Sequence, residues 1–245
     1  MSEFKFPTEM VELPSKGLPY PESNPLSAGK LEMKYMTARE EDILTNQSYI
    51  QQGVVLDKLL QSLIVTKIDY NDLLVGDKNA ILIAARILGY GKDYAFTYKG
   101  EDVVADLSTL DNKVIDETLF TKGKNEFTFK VPSTSDIITF KLLTHGDELS
   151  MDRELAGLKK INQSPEVSMR LKYTILSING NNDPKNVREY VDTYLLARDA
   201  RALREYIKTI QPDVNLTTSI ETLNGLVEEV NIPIGLNFFW PDLGV

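Results

Sequence analysis

Five prolines, Pro7, Pro14, Pro19, Pro21 and Pro25, fall within the first 29 residues, together with Gly17 and Gly29. Each proline removes a backbone donor and fixes φ, so regular helix is disfavoured here and an extended arm is expected over residues 1–29. Such an arm must find its hydrogen-bond partners elsewhere. Its apolar residues Phe4, Phe6, Leu13, Leu18 and Tyr20 are expected to lie along a surface, either the chain's own or a partner's. The remainder must build its core by packing, because the 245 residues contain no cysteine. That composition excludes a disulfide scaffold, a cysteine nucleophile and any thiolate-ligated zinc or iron–sulfur site, and it fits a reducing compartment.

Beyond the arm the hydrophobic periods are readable. Leu31, Met33 and Tyr35 alternate with Lys30, Glu32 and Lys34, the pattern of a half-buried strand. The run Thr37-Ala38-Arg39-Glu40 has capping-box spacing and starts a helix to about Asn46. A second helical stripe runs from Ile50 to about Ile64, and Asp77 to Leu88 reads as a buried helix ended by Gly89 and Gly91. Strand periodicity then takes over at Tyr94–Tyr98, Val103–Leu107, Phe127–Val131 and Ile137–Leu143, the last two forming a hairpin candidate about Pro132 to Asp136. Helices are expected from Met151 to Ile161 with Ser150 as N-cap, over Val167–Ser177, where Met169, Leu171 and Tyr173 also fit a strand, from Asp183-Pro184 to about Thr193, and from Asp199 to Ile210. Thr217–Glu221 and Val227–Ile232 complete the chain as two short strands. The predicted fold class is therefore α+β: an extended arm (1–29), a strand plus helical region (30–92), a β-rich region with a small antiparallel sheet (93–145), a helical region (146–212), and a β-hairpin with an aromatic tail (213–245).

Catalytic patterns are hard to find. The single histidine, His145, sits where a strand run gives way to a helix and reads as a surface turn residue, with Asp147 nearby and no nucleophile signature. Asp69, Asp72 and Asp77 cluster without the spacing of a calcium loop and read as turn and helix-start residues. Gly89 and Gly91 follow a helix, so their amides do not form a phosphate cradle at a helix N-terminus. Carboxylate pairs such as Glu40-Glu41 and Glu228-Glu229 are expected on solvated faces. The net charge of −9 argues against a general nucleic-acid binder, and the apolar run Ala80–Leu88, interrupted by Arg86, is far short of the roughly 20 residues that span a bilayer. The start MSEFKFPTEM lacks the basic and apolar regions of a signal peptide. Neither an enzyme nor a resident cofactor or metal is expected. Arg201 and Arg204 share a helix face and are expected to close internal ion pairs, the alternative being a bridge to a partner's carboxylates, and the aromatic run Phe238-Phe239-Trp240 is expected to be either a core plug or an anchor for another subunit. Leu13, Leu18, Tyr20, Phe238, Phe239 and Trp240 are accordingly the expected partner-binding residues.

Several motifs recur together in a recognisable order. L-P-S-K-G-L-P-Y (Leu13 to Tyr20), G-K-L-E-M-K-Y-M-T-A-R-E-E-D-I-L (Gly29 to Leu44) and D-L-L-V-G-D-K-N-A-I-L-I-A-A-R-I-L-G-Y-G (Asp72 to Gly91) resemble the baseplate hub and baseplate assembly protein family of T-even-like contractile-tailed bacteriophages. The strand pair F-T-F-K-V-P-S-T-S with F-K-L-L-T, the helical D-A-R-A-L-R and the closing N-F-F-W-P extend the resemblance over most of the chain. Members of that family often carry zinc-ribbon cysteine pairs, whereas Tyr98-Lys99-Gly100-Glu101 and Leu223-Asn224-Gly225 stand at those places here, so the resemblance implies a metal-free member. It further implies a late phage protein, present in the host cytoplasm during assembly or in the virion baseplate, that binds other hub proteins as a structural component or assembly chaperone. A tail-associated hydrolytic enzyme and an adaptor with no tail role are the alternatives.

Overall fold

The alternation at Lys30–Lys34 is realised as strand β2, with β1 (Thr8–Glu12) beside it as its antiparallel partner, Thr8 opposite Lys34 and Glu12 opposite Lys30. Leu31 and Met33 are fully buried while Lys30 faces solvent. These positions come from a computed structural model, which describes residues 7–160, 163–221, 227–235 and 238–239. The described part of the expected arm is therefore a strand followed by a compact loop folded on the chain's own body. Two glycines permit the loop: Gly17 (φ +76) and Gly29 (φ +69) face each other's segments so closely that a Cβ on Gly17 would stand 2.4 Å from the carbonyl oxygen of Ser27. Asn24 accepts a hydrogen bond from the Leu26 amide and caps a 3-10 turn, Pro25–Ala28.

Helix α1 (Ala38–Leu44) carries the capping box between Thr37 and Glu40. The stripe expected as one helix from Ile50 to Ile64 is two, α2 (Gln47–Gln51) and α3 (Val55–Leu63), because Gly53 adopts φ +69 between them. Helix α4 (Val75–Tyr90) follows and ends at Gly91, whose φ is +84. Leu59, Leu60 and Leu63 of α3 and Ile81 and Ala85 of α4 belong to the fully buried core.

Strands β3 (Asp93–Tyr98) and β4 (Glu101–Asp106) form a hairpin whose two turn residues, Lys99 and Gly100, both have positive φ, as the tightest hairpin turn requires. β5 (Phe127–Lys130) and β6 (Ile137–Phe140) form the second hairpin, and β7 (Ile175–Ile178) pairs with β6 to complete a three-stranded antiparallel sheet. The run expected as one helix over Val167–Ser177 thus splits into α6 (Glu166–Thr174) and β7, the partner strand overriding local helical pattern at Ile175. Before it, α5 (His145–Lys159) begins six residues earlier than expected, because Thr144 and Asp147 make a reciprocal capping box and Ser150 is interior to the helix. Helix α7 (Pro184–Glu189) starts at the Asp183 cap, runs into a π-helical turn (Tyr190–Tyr194), and is followed by α8 (Ala197–Ile210). β8 (Thr217–Glu221) and β9 (Val227–Asn231) pair antiparallel as expected.

The architecture is α+β, with small antiparallel sheets of two or three strands among the described residues. One contiguous core joins the N-terminal loop, α3, α4, the three-stranded sheet, α8 and the Phe238-Phe239 pair, and a satellite cluster of Met151, Leu155 and Met169 lies between α5 and α6. No helix among the described residues is long and apolar enough to cross a membrane.

Candidate functional site

The residues that looked most chemical in the sequence are drawn into the architecture. Asp77, in the first turn of α4, is fully buried; its carboxylate accepts hydrogen bonds from the Ser15 amide (2.9 Å), the Ser15 hydroxyl (2.7 Å) and the Tyr20 hydroxyl (2.6 Å). Tyr20 in turn accepts from the Leu74 amide at 2.9 Å, so the loop supplies the polar partners that a leucine at the N-cap of α4 does not. Burial raises the Asp77 carboxyl pKa against these hydrogen bonds, and burial together with the Asp77 charge pushes the Tyr20 hydroxyl far above its ordinary range.

This clasp corrects the reading of Leu13 and Tyr20 as partner-binding residues: both are buried in the chain's own core, at 1% and 5% exposure. Leu18 is half-buried, and its carbonyl accepts from the Gly123 amide. Phe238 and Phe239 are likewise core, with no exposed surface, packed edge-to-face on each other and with Tyr94 against Phe238. The physical reason is shared: a large apolar side chain beside an unfilled hydrophobic face buries intramolecularly first. Arg86 fixes the aromatic pair from inside, donating from Nε to the Phe238 carbonyl (2.8 Å) and from its two terminal nitrogens to the carbonyls of Gly91 and Asp93. Trp240 lies outside the described residues.

His145 is also corrected. At 3% exposure it is a buried residue of the first turn of α5, not a surface turn residue, with the Tyr70 ring edge-on at 4.7 Å. Lys78 of α4 approaches its Nδ1 at 3.2 Å and pairs with Asp57 of α3 at 2.6 Å, and the Tyr70 hydroxyl donates to the same Asp57 oxygen at 3.0 Å. An ammonium can only donate, so Nδ1 is the acceptor and the proton sits on Nε2, 3.8 Å from Asp57 and beyond hydrogen-bond reach. Burial and the Lys78 charge lower the His145 pKa, with Asp57 opposing. The cluster ties α3, α4 and α5 together with a neutral imidazole at pH 7.

Glu40, expected on a solvated face, is fully buried and accepts from Lys34, from Ser62 and from both the amide and hydroxyl of Thr37. Burial acts to raise its pKa, and those hydrogen bonds outweigh it and hold the carboxyl at about 2. Among the described residues no three His, Cys, Asp or Glu side chains gather closely enough to hold a metal ion.

An opening exists on another face, between α6 and α8. A cavity of about 170 Å³ is floored by Leu171 of α6, Ile207 of α8, Leu143 and Val75, and rimmed by Lys141, Arg170, Arg204 and Lys208. Lys141 is paired with Asp147 at 2.7 Å and Arg170 reaches Glu148 at 3.4 Å. Arg201, expected to pair internally, does so with Glu205, whereas Arg204, expected to do the same, has no hydrogen bond or ion pair among the described residues, and neither has the Lys208 ammonium. Past Leu171 and Arg204 the surface continues into a second hollow of about 540 Å³ lined by Val167, Val191, Leu195 and Ala197. Only Arg204 of the four cations stood out in the sequence; the spacing Arg204, Ile207, Lys208, Gln211 is the signal that marks one face of α8. Compared with known proteins, the chain matches no family model, no curated protein and no solved structure.

Proposed function

We propose that this chain is a structural or assembly protein of a contractile-tail baseplate, acting at the hub by protein–protein binding and doing no chemistry of its own. The observation that carries the binding half is the cleft between α6 and α8, an apolar floor with a cationic rim in which Arg204 and Lys208 make no ion pair among the described residues, on a chain of net charge −9. The tail half rests on the ordered motifs, and the way those motifs touch supports it: Ser15 and Tyr20 of the first meet Asp77 of the third, and Arg86 of the third meets Phe238 of the last.

The hydrolase alternative needs convergent carboxylates in an open cleft. Glu40 and Asp77 are instead engaged in closed hydrogen-bond networks, and the open cleft presents cations. Co-expression of the tagged chain with tail proteins tests the proposal: stoichiometric recovery of a hub component is expected, and recovery of no tail protein overturns it. Mass spectrometry of purified virions then separates a resident component from an assembly factor that leaves.

A further inference from the structure

We infer that the cleft between α6 and α8 is a docking groove for an acidic peptide segment of a partner protein, one that carries a single phenyl-sized side chain between its carboxylates. The inference rests on the protein-binding reading above and names its partner chemistry.

The size of the cavity sets the anchor. An apolar cavity of roughly 150 Å³ accepts a benzene molecule, so about 170 Å³ floored by Leu171, Ile207, Leu143 and Val75 accepts one aromatic or large aliphatic side chain but not a folded element. The rim sets the flanking charge. Four of the ten lining residues are cations, against 27 in the 245 residues of the chain, and the lining contains no carboxylate. Asp147 and Glu148 neutralise Lys141 and Arg170 from outside the cavity, which leaves Arg204 and Lys208, one helical turn apart, with no ion pair among the described residues, the nearest lining carboxylate being Glu166 in the adjoining hollow. Like charges at that spacing repel, and carboxylates from a partner relieve the repulsion.

The extension of the groove favours a polypeptide over a small anion. Beyond Arg204 the second hollow is mostly apolar, and Val167 and Leu196 stand 56% and 45% exposed in its neighbourhood. A free phosphate or carboxylate would leave that surface uncovered. A single-stranded nucleic acid would need aromatic side chains on which to stack its bases, and neither hollow is lined by one.

The test uses the full chain, isotope-labelled, titrated with the acetylated and amidated peptide Asp-Glu-Phe-Asp-Glu and followed by backbone amide shifts. Expected are saturable shifts at Arg170, Leu171, Arg204 and Lys208, a loss of affinity of about tenfold or more in Arg204→Glu/Lys208→Glu, and a similar loss when alanine replaces the peptide's phenylalanine. Both substituted side chains are exposed, so an unchanged spectrum outside the cleft certifies the fold. Absence of shifts at those amides overturns the inference, as does equal binding by the charge-reversed variant, by a peptide with lysine for each acid, or by inorganic phosphate or oligothymidylate. Peptide binding at the cleft with no tail protein recovered in co-expression keeps the groove and removes the tail reading. Recovery of a hub component undiminished by Arg204→Glu/Lys208→Glu, without peptide binding, does the reverse.

Discussion

The N-terminal loop on α4 and the cleft between α6 and α8 are built from similar materials and finish in opposite states. At the loop, Asp77 satisfies Ser15 and Tyr20, Tyr20 satisfies Leu74, and the side chains are sealed from solvent. At the cleft, two cations have no partner and the surrounding apolar side chains are left partly open. A buried polar group is costly unless every hydrogen bond is made, so the residues that look like chemistry in the sequence are those the architecture has already consumed. Availability for a partner is found where ordinary residues stay unsatisfied at a surface.

The comparison breaks first at Asp77. Asp77→Ala removes the acceptor of three hydrogen bonds and leaves the Ser15 amide and the Tyr20 O–H buried without an acceptor. A loss of about 4 kcal/mol is expected in denaturant unfolding, against about 1 kcal/mol for Asp77→Asn, which keeps an acceptor. Equal losses would mean that the one acceptor kept by asparagine does not hold the loop and that both carboxylate oxygens are needed. Next is Arg86→Met, which preserves volume but strips three backbone carbonyls of their donor; about 3 kcal/mol is expected, with the Phe238-Phe239 pair released, as quenching or exchange at Tyr94 would report.

How far these sites were legible in the sequence depends on the range of the interactions that make them. The β2 alternation, the Thr37-Glu40 capping box, the Asp183-Pro184 start and the β8–β9 pair are encoded within a few residues, and each appears where expected. Thr144 and Asp147 form the same capping box, yet the strand run ending at Leu143 and the following His145-Gly146 pair make it read as a turn. His145 is buried by Tyr70 and Lys78, 75 and 67 positions away in the chain by difference of residue number, and no local period carries that. β7 exists because Phe140 and Ile138 of β6 offer it an edge. The cleft is assembled from segments between Val75 and Gln211, so only the α8 face of it could be read locally.

Acid sharpens the comparison through Glu40. Its folded pKa of about 2 lies below the ordinary value of 4.5, so the folded state binds its proton later than the unfolded chain does. The stabilisation is therefore complete above pH 4.5 and is lost as pH falls from there through about 2, an effect on the order of 2 to 3 kcal/mol. Glu40→Gln should flatten that part of the pH–stability curve. His145, whose pKa is lowered, adds a loss with the same sign that begins as pH falls through 6.5, because the unfolded chain takes up the proton first. An acid limb unaltered in Glu40→Gln would show that the carboxylate is not the titrating group.

The smallest stability effect is expected at the cleft, and its sign is the informative part. Arg204 and Lys208 are like charges four residues apart on α8, and neither makes an ion pair among the described residues. Arg204→Gln removes that repulsion without removing a hydrogen bond, so it should leave stability unchanged or raise it by about 0.3 kcal/mol at low salt. The gain should vanish as salt screens the exposed pair. The same variant should weaken binding of the acidic peptide, because it removes one of the two unpaired cations of the cleft. Were Arg204→Gln instead to destabilise the chain by as much as Arg86→Met, the cleft would belong with the sealed loop as part of the framework, and the contrast between the two regions would disappear.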